Sequence, residues 1–399
     1  MRVFGIICEY NPFHCGHKWQ LDELRRRNGT EECGIVCAMS GEFVQRGDFA
    51  IERAHARAEA AVRGGADLVL ELPLPWSIAS AEGFARGGVG VLNATGIVDT
   101  LVFGSECGET EKLRRAAEAL LRADFPDALR EELAKGLSFA VARESAARAL
   151  IGEDAAVLRE PNDILGVEYC KALLQGDSSI TPLAMERRAV GHNEGAAEGF
   201  ASASYIRALL AGGEDASAFL TAESAAIYAS ECAAGRAPVT MKGAERAMLS
   251  RLRMLEEADF ARYDSGGEGL YRRFYAAVRT AASVDELLGT VKTKRYAYAR
   301  LRRMLLAAYL DIAAAELPQE IPYLRVLACN ERGRMLLRAI KNEGSAPVLT
   351  KSADVRSLSE EAQRLFALSA RACDQYVLAY PELRAAKGGG AWTQGPVIV

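Results

Sequence analysis

Nine cysteines occur in this chain, yet no two stand in Cys-x-x-Cys spacing. With no basic-then-apolar leader at the N-terminus, they are read as reduced thiols of a cytosolic protein. No uninterrupted apolar run approaches a membrane span, so no transmembrane segment is expected. Gly-x-x-x-x-Gly-Lys-Ser/Thr is missing, which argues against a P-loop enzyme acting on a γ-phosphate. The turn after the first strand also lacks the Gly-x-Gly-x-x-Gly of a dehydrogenase. No Ser-His-Asp set, internal repeat or long low-complexity segment is evident.

What remains is ordinary globular material. Half of the 399 residues are hydrophobic and 26% are charged, enough for two domains with sizeable cores. The net charge of −4 hides an asymmetry. Residues 216–399 carry 26 Lys/Arg against 20 Asp/Glu, whereas residues 1–215 carry 23 against 33. A modest positive excess in the second half hints that a polyanion docks there.

The most informative stretch is the first seventeen residues. Val3-Phe4-Gly5-Ile6-Ile7-Cys8 reads as a buried parallel strand. Glu9-Tyr10-Asn11-Pro12-Phe13 is turn chemistry, and His14-Cys15-Gly16-His17 leads into the helical pattern of Trp19, Leu21 and Leu24. Strand, tight turn and helix start form one half of a nucleotide-binding βαβ unit. Helix-start N–H groups and two imidazoles would face a phosphate, with Gly16 letting the backbone come close. The bland alternative is a pair of helix-capping histidines. A zinc site from Cys8, His14, Cys15 and His17 fits no structural zinc spacing, and no metal site is assigned.

The first two hundred residues alternate β-prone and helical runs. Strands are expected at 34–39, 66–73, 100–103 and 180–185. A loop is expected from Glu42 to Asp48, helices over about 50–63 and 81–85, and charged helices over 110–150. Glu160-Pro161-Asn162-Asp163 reads as a turn and helix cap. This alternation predicts a Rossmann-like, doubly wound parallel sheet, with ligands collecting at the carboxyl ends of its strands. Those ends are Glu9 to His17, Ser40 to Arg46, Glu71 to Pro75 and Gly104 to Glu106. Cys33 and Cys37 are expected in the core. Arg187-Arg188 end the fifth strand, ahead of a glycine-rich segment around Gly191-His192-Asn193-Glu194-Gly195.

Ser202 and Ser204, with Arg207 one turn on, suit a second phosphate patch, as does Arg46. An ordinary serine N-cap with an exposed arginine is the plainer alternative. Beyond about residue 216 the pattern is mostly helical, with one further strand near Leu324 to Ala328. Domains are therefore expected at 1–215 and 216–385, with a flexible tail over 386–399. Residues 292–303 contain six basic side chains, no acidic one and two tyrosines. Phosphate contacts with aromatic stacking would suit RNA through Lys292, Lys294, Arg295, Arg300 and Arg303. A solvated helix face is the alternative.

His14-Cys15-Gly16-His17 resembles the signature turn of the HIGH-type nucleotidyltransferases. Further text is more specific: Glu9-Tyr10-Asn11-Pro12-Phe13-His14, Met39-Ser40-Gly41, Val44-Gln45-Arg46-Gly47, Gly65 to Pro73 and Phe103-Gly104-Ser105-Glu106. With Pro161 to Gly166, Ser202 to Arg207 and Thr293-Lys294-Arg295-Tyr296, the chain resembles bacterial tRNA(Met) cytidine acetate ligases over nearly its whole length. The match is weakest after about residue 360. This resemblance implies a cytoplasmic, ATP-dependent ligase that activates acetate as acetyl-adenylate, ATP bringing Mg²⁺ with it. The acetyl group would pass to the wobble cytidine of elongator tRNA(Met).

Carried over by position, the ATP site would comprise Ile7, Cys8, Glu9, Tyr10, Asn11, Pro12, Phe13, His14, Cys15, Gly16, His17, Lys18, Trp19 and Gln20. Gly104, Asn162, Arg187 and Arg188 would complete it, with His14 and His17 catalytic. From the residues alone, two other functions stay open. One is adenylyl transfer to a phosphate monoester in coenzyme synthesis. The other is an RNA-binding protein with a vestigial nucleotide site.

Overall fold

The structure, a computed structural model, describes residues 1–28, 33–187, 196–197, 200–264, 266, 269–313, 318 and 320–399. Its centre is a strand triplet written into the apolar runs. β1 (Arg2–Cys8) lies between β2 (Cys33–Ser40) and a strand at Thr100–Ser105, parallel to both. β2 is buried along its whole length, Cys33 and Cys37 included, as a strand covered on both faces must be. A small antiparallel hairpin follows, β3 (Phe43–Val44) and β4 (Asp48–Phe49), where a plain loop is expected. Gly47 turns it at φ +75°, and Phe43 packs edge-on against Phe49 at 4.8 Å.

β5 (Leu68–Leu72) extends the sheet beyond β2; β6 (Thr100–Ser105) and β7 (Thr181–Glu186) extend it beyond β1. The order β5-β2-β1-β6-β7 reverses direction at β1, which opens a crevice at the carboxyl ends of β1 and β6. Three helices complete the first βαβ units: α1 (Cys15–Asn28), α2 (Ala54–Arg63) and α3 (Ala81–Ala94). α2 starts later than the pattern suggests, because Glu52 and Arg53 still belong to the incoming turn. Two-residue strands at Ala196–Ala197 and Phe200–Ala201 pair with each other, as β8 and β9.

Strands from beyond residue 216 join the sheet as well. β10 (Leu324–Cys329) runs antiparallel to β5, and β11 (Val348–Leu349) and β12 (Val397–Ile398) pair parallel to β10. A buried ion pair, Arg325 to Glu71 at 3.1 Å, ties β10 to β5. The helical pattern beyond 216 is observed as expected, from Ala222–Ala233 to Glu360–Tyr376.

Residues of the tail expected over 386–399 make defined contacts with the rest of the fold. Gly389 adopts φ +83° and donates its N–H to Asp374 at 2.6 Å. Trp392 packs on Phe366 at 4.7 Å, and Val397 pairs with Ala328. The glycine run is thus a pinned turn feeding a strand, and composition alone cannot separate that from a linker. Among the described residues no helix is long and apolar enough to cross a membrane.

Candidate active site

At the crevice, β1 ends at Cys8 and the chain turns sharply to begin α1 at Cys15. Three ties hold the turn. Asn11 is buried, and its Oδ1 accepts the Ile51 N–H at 2.8 Å. The Phe13 carbonyl accepts the Ser224 hydroxyl at 2.7 Å. Arg57, wholly buried, donates to the carbonyls of Glu9, Ser40, Gly41 and Glu52. One guanidinium thereby fixes the carboxyl ends of β1 and β2 together.

The two histidines stack at 3.6 Å between ring centroids. Each has its Nδ1 occupied by a backbone donor: Gly16 N–H reaches His14 at 3.0 Å, and His14 N–H reaches His17 at 3.3 Å. A neutral ring whose Nδ1 accepts must carry its proton on Nε2. Both rings therefore present an Nε2–H donor. Burial, then the charges of Arg187 and Arg207, push His14 down to about 3. His17, wedged against Tyr10 and Phe13, is pushed well down by burial, His14 and Arg187. With both pushed down, the unliganded rings are neutral at pH 7 and offer fixed hydrogen-bond donors.

Gly16 also has a reason within the fold. A Cβ there would stand 2.9 Å from Cε1 of His14, so the bare Cα is what lets that ring fold over the helix start. Burial raises the Cys8 and Cys15 thiols, which leaves neither as a thiolate nucleophile.

Across the crevice, Gly104, next to the last residue of β6, lies beneath Arg187, whose Cγ would lie 3.1 Å from a Cβ on that glycine. Asp163 does not cap its own helix. It reaches back to the β6 end, accepting from the Ser105 hydroxyl at 2.5 Å and Glu106 N–H at 2.9 Å. The Asn162 amide donates to Glu106, whose other oxygen accepts the Asp163 N–H at 2.9 Å. Gly104, Asn162 and Arg187 are thus gathered at one strand end.

The Ser202 hydroxyl caps the helix Ala203–Gly212, accepting from Tyr205 N–H at 3.2 Å and lying 3.0 Å from Ser204 Oγ. Arg207 is not the solvent-exposed side chain of the plainer alternative. It is half-buried and donates to the Asn11 carbonyl at 2.8 Å, over the histidine turn. Arg46 stands exposed on the hairpin, and Arg188 lies outside the described residues.

With this geometry in place, the comparisons with known proteins decide the family. A family model described as HIGH Nucleotidyl Transferase matches residues 1–389. A protein of Acetivibrio thermocellus named tRNA(Met) cytidine acetate ligase is 36% identical over 420 residues, covering 100% of both chains. The chain belongs to the tRNA(Met) cytidine acetate ligase family. A Fervidobacterium nodosum protein of the same name is 37% identical over 376 residues, covering 92% of this chain and 88% of its own. The crystal structure of Thermotoga maritima TmcAL bound with alpha-thio ATP (form II) matches with a TM-score of 0.92 at 32% identity, covering 100% of this chain and 99% of that one. The apo form I of the same protein gives 0.94 at 31% identity, covering 100% of both.

Within this family member the basic run divides. Lys292, Lys294 and Arg295 are exposed. Tyr296, expected as a stacking surface, is buried with Arg300 over its ring at 5.1 Å, whereas Tyr298 is exposed. Arg300 also lies 3.7 Å from Asp264. Arg303 is half-buried, and burial with the Arg300 charge pushes it down to about 10. Arg300 and Arg303 thus turn inward, away from the surface role expected of them. Arg57, which ties the strand ends beneath the turn, is not indicated by the residue pattern, since an arginine inside an alanine-rich helix carries no signal. Gln45, whose N–H donates to Glu9 at 2.7 Å, was visible only as part of a resembling segment.

Proposed function

We propose that this protein is an ATP-dependent ligase that forms acetyl-adenylate and transfers the acetyl group to the wobble cytidine of elongator tRNA(Met). The carrying observation is the pair of neutral Nε2–H donors on His14 and His17, fixed at a helix start beside Arg187 and Arg207. Family membership supplies the substrate class. An acetate oxygen attacks the α-phosphorus of ATP, forming one P–O bond as the bond to pyrophosphate breaks. The histidine donors and the arginines stabilise the charge that moves onto the phosphate oxygens, a positioning and electrostatic task. In the second step the exocyclic amine attacks the acetyl carbonyl, AMP leaves and the amine loses a proton.

Ile7 to Gln20, with Gly104, Asn162 and Arg187, are the proposed nucleotide contacts. Ser202, Ser204, Arg207 and Arg46 are proposed around the phosphates. Lys292, Lys294 and Arg295 are the proposed tRNA contacts, where a solvated surface of positive charge suits a phosphate backbone. Among the described residues no three His, Cys, Asp or Glu side chains converge as metal ligands. Mg²⁺ is proposed only as a companion of the nucleotide, and no step is assigned to it. We place the protein in the cytoplasm with its tRNA.

The test is pyrophosphate exchange into ATP, triggered by acetate or by phosphopantetheine, followed by addition of elongator tRNA(Met). Exchange with acetate and acetylated cytidine are expected. Exchange with the phosphate monoester alone would overturn the reading.

A further inference from the structure

The hairpin of β3 and β4 joins the nucleotide turn to the inward half of the basic run. On one side, Gln45 N–H donates to the Glu9 carboxylate at 2.7 Å. On the other, a Cβ on Gly47 would stand 2.5 Å from the Arg303 nitrogen, so the hairpin backbone rests directly on the second turn of the helix Tyr298–Leu310. That seat is rigid. Phe49 stacks on Tyr376 at 6.0 Å, and the Tyr376 hydroxyl donates to the Ala50 carbonyl at 2.9 Å.

Asp48 occupies the junction. Its Oδ1 accepts the Phe49 N–H at 2.9 Å, and its Oδ2 pairs with Nη2 of Arg302 at 2.9 Å. Nε of Arg302 is buried and, among the described residues, has no hydrogen-bond partner. A buried guanidinium N–H without an acceptor is costly unless a ligand supplies one. Arg207, reaching over the histidine turn, shares its surroundings with Glu9, Asp48, Arg46 and Arg302. Asp48 in turn feels both Arg302 and Arg207, which counter only part of the upward push of its burial. An exposed surface ion pair would be a minor feature, but this one stands beside a site built for a polyanion.

We propose that Arg302, supplied by the helical C-terminal part, is a pyrophosphate-end ligand of the nucleotide site, and that Asp48 is its internal counter-ion in the unliganded protein. The inference rests on the ATP-site reading above and extends it to a residue outside the first 215. When a triphosphate enters, its outer phosphates offer the acceptor that Nε lacks and compete with Asp48 for the guanidinium. The adenosine end is untouched by this exchange. Phosphate oxygens match the planar fork of arginine, which lysine cannot reproduce.

The experiment is equilibrium titration of ATP and, separately, AMP into wild type, Arg302→Ala, Arg302→Lys and Asp48→Asn, without acetate or tRNA. Arg302→Ala is expected to weaken ATP about tenfold with AMP unchanged, as loss of a charge-assisted contact would. Arg302→Lys should fall between Arg302→Ala and wild type. Asp48→Asn is expected to tighten ATP several-fold, because the competing carboxylate is gone. If Arg302→Ala binds ATP as wild type does, the assignment is overturned. Equal losses in Arg302→Ala and Asp48→Asn would also overturn it, since a mere strap between segments fails alike from either end. Failure of the wild type to bind ATP would instead strike the functional reading itself.

Discussion

The histidine turn and the basic run both attracted notice in the sequence, and the structure treats them in opposite ways. In the turn, residues 9–17 converge. Asn11 is spent on Ile51, the Phe13 carbonyl on Ser224 and the Glu9 carbonyl on Arg57, and each of the two imidazoles has its Nδ1 occupied by a backbone N–H. In the run, residues 292–303 diverge: Lys292, Lys294 and Arg295 face solvent, while Arg300, Arg302 and Arg303 turn toward Tyr296, Asp48 and the hairpin. A motif whose spacing is set by a strand–helix turn fixes geometry. A run of like charge fixes only a potential, and helix periodicity then deals its members to different faces.

The largest test of this contrast is His17→Ala, with His14→Ala beside it. Removing one preorganised donor is expected to lower acetate-dependent pyrophosphate exchange about 10²–10³-fold. Circular dichroism should show the fold retained; wild-type exchange rates would dissolve the distinction between the two regions.

Next comes Arg57→Ala, which strips the donor from four carbonyls. With about 1–3 kcal/mol at stake for each buried acceptor left unpaired, the urea midpoint should fall sharply, and exchange should fall with it. An unchanged midpoint would mean that water replaces the clamp.

Charge reversal at Lys294 and Arg295 should weaken elongator tRNA(Met) binding about tenfold or more and flatten its salt dependence, measured by filter binding. Acetate-triggered exchange should persist. Loss of exchange would show that the two halves of the run are not separable.

A smaller effect lies in acid. His14 stays neutral in the fold down to about 3, whereas an unfolded histidine protonates near 6.5. The unfolded chain therefore binds more protons between those values, and stability is intact above pH 6.5 and declines as pH falls toward 3. His14→Asn should blunt this decline in pH-dependent urea unfolding. A parallel curve would show that other groups govern it.

The smallest expected change concerns Glu52, fully buried with both carboxylate oxygens unpartnered among the described residues and pushed up to about 8 by burial. The native state holds its proton where an unfolded glutamate, near 4.3, has lost it. That contribution is complete below pH 4.3 and is lost as pH rises through 8. Glu52→Gln should raise the melting temperature at pH 9 and leave it nearly unchanged at pH 4.

Much of the fold was legible because buried parallel strands announce themselves: β1, β2, β5 and β6 are short apolar runs between glycine and polar breaks. The candidate site at the carboxyl ends follows from topology. Three things were not legible, each for a physical reason. Hairpin residues 43–49 lack the length that reveals a strand. Arg57 gains meaning only from what it reaches across space, and the reach of Arg207 to the Asn11 carbonyl is likewise unreadable, since exposure is not written in an arginine. The glycine run at 388–390 has a linker's composition, and its order comes from Asp374, Phe366 and the edge of β10.

The pairing of β12 with β10, itself laid against β5, also sets a schedule. At roughly 5–20 residues per second, Val397 leaves the ribosome about 20–80 s after β1. Until then the outer rim of the sheet is missing partners, and the nucleotide half waits on strands made last. Co-translational folding of the first βαβ units is therefore provisional, held by local contacts until the distant segment arrives to close the edge.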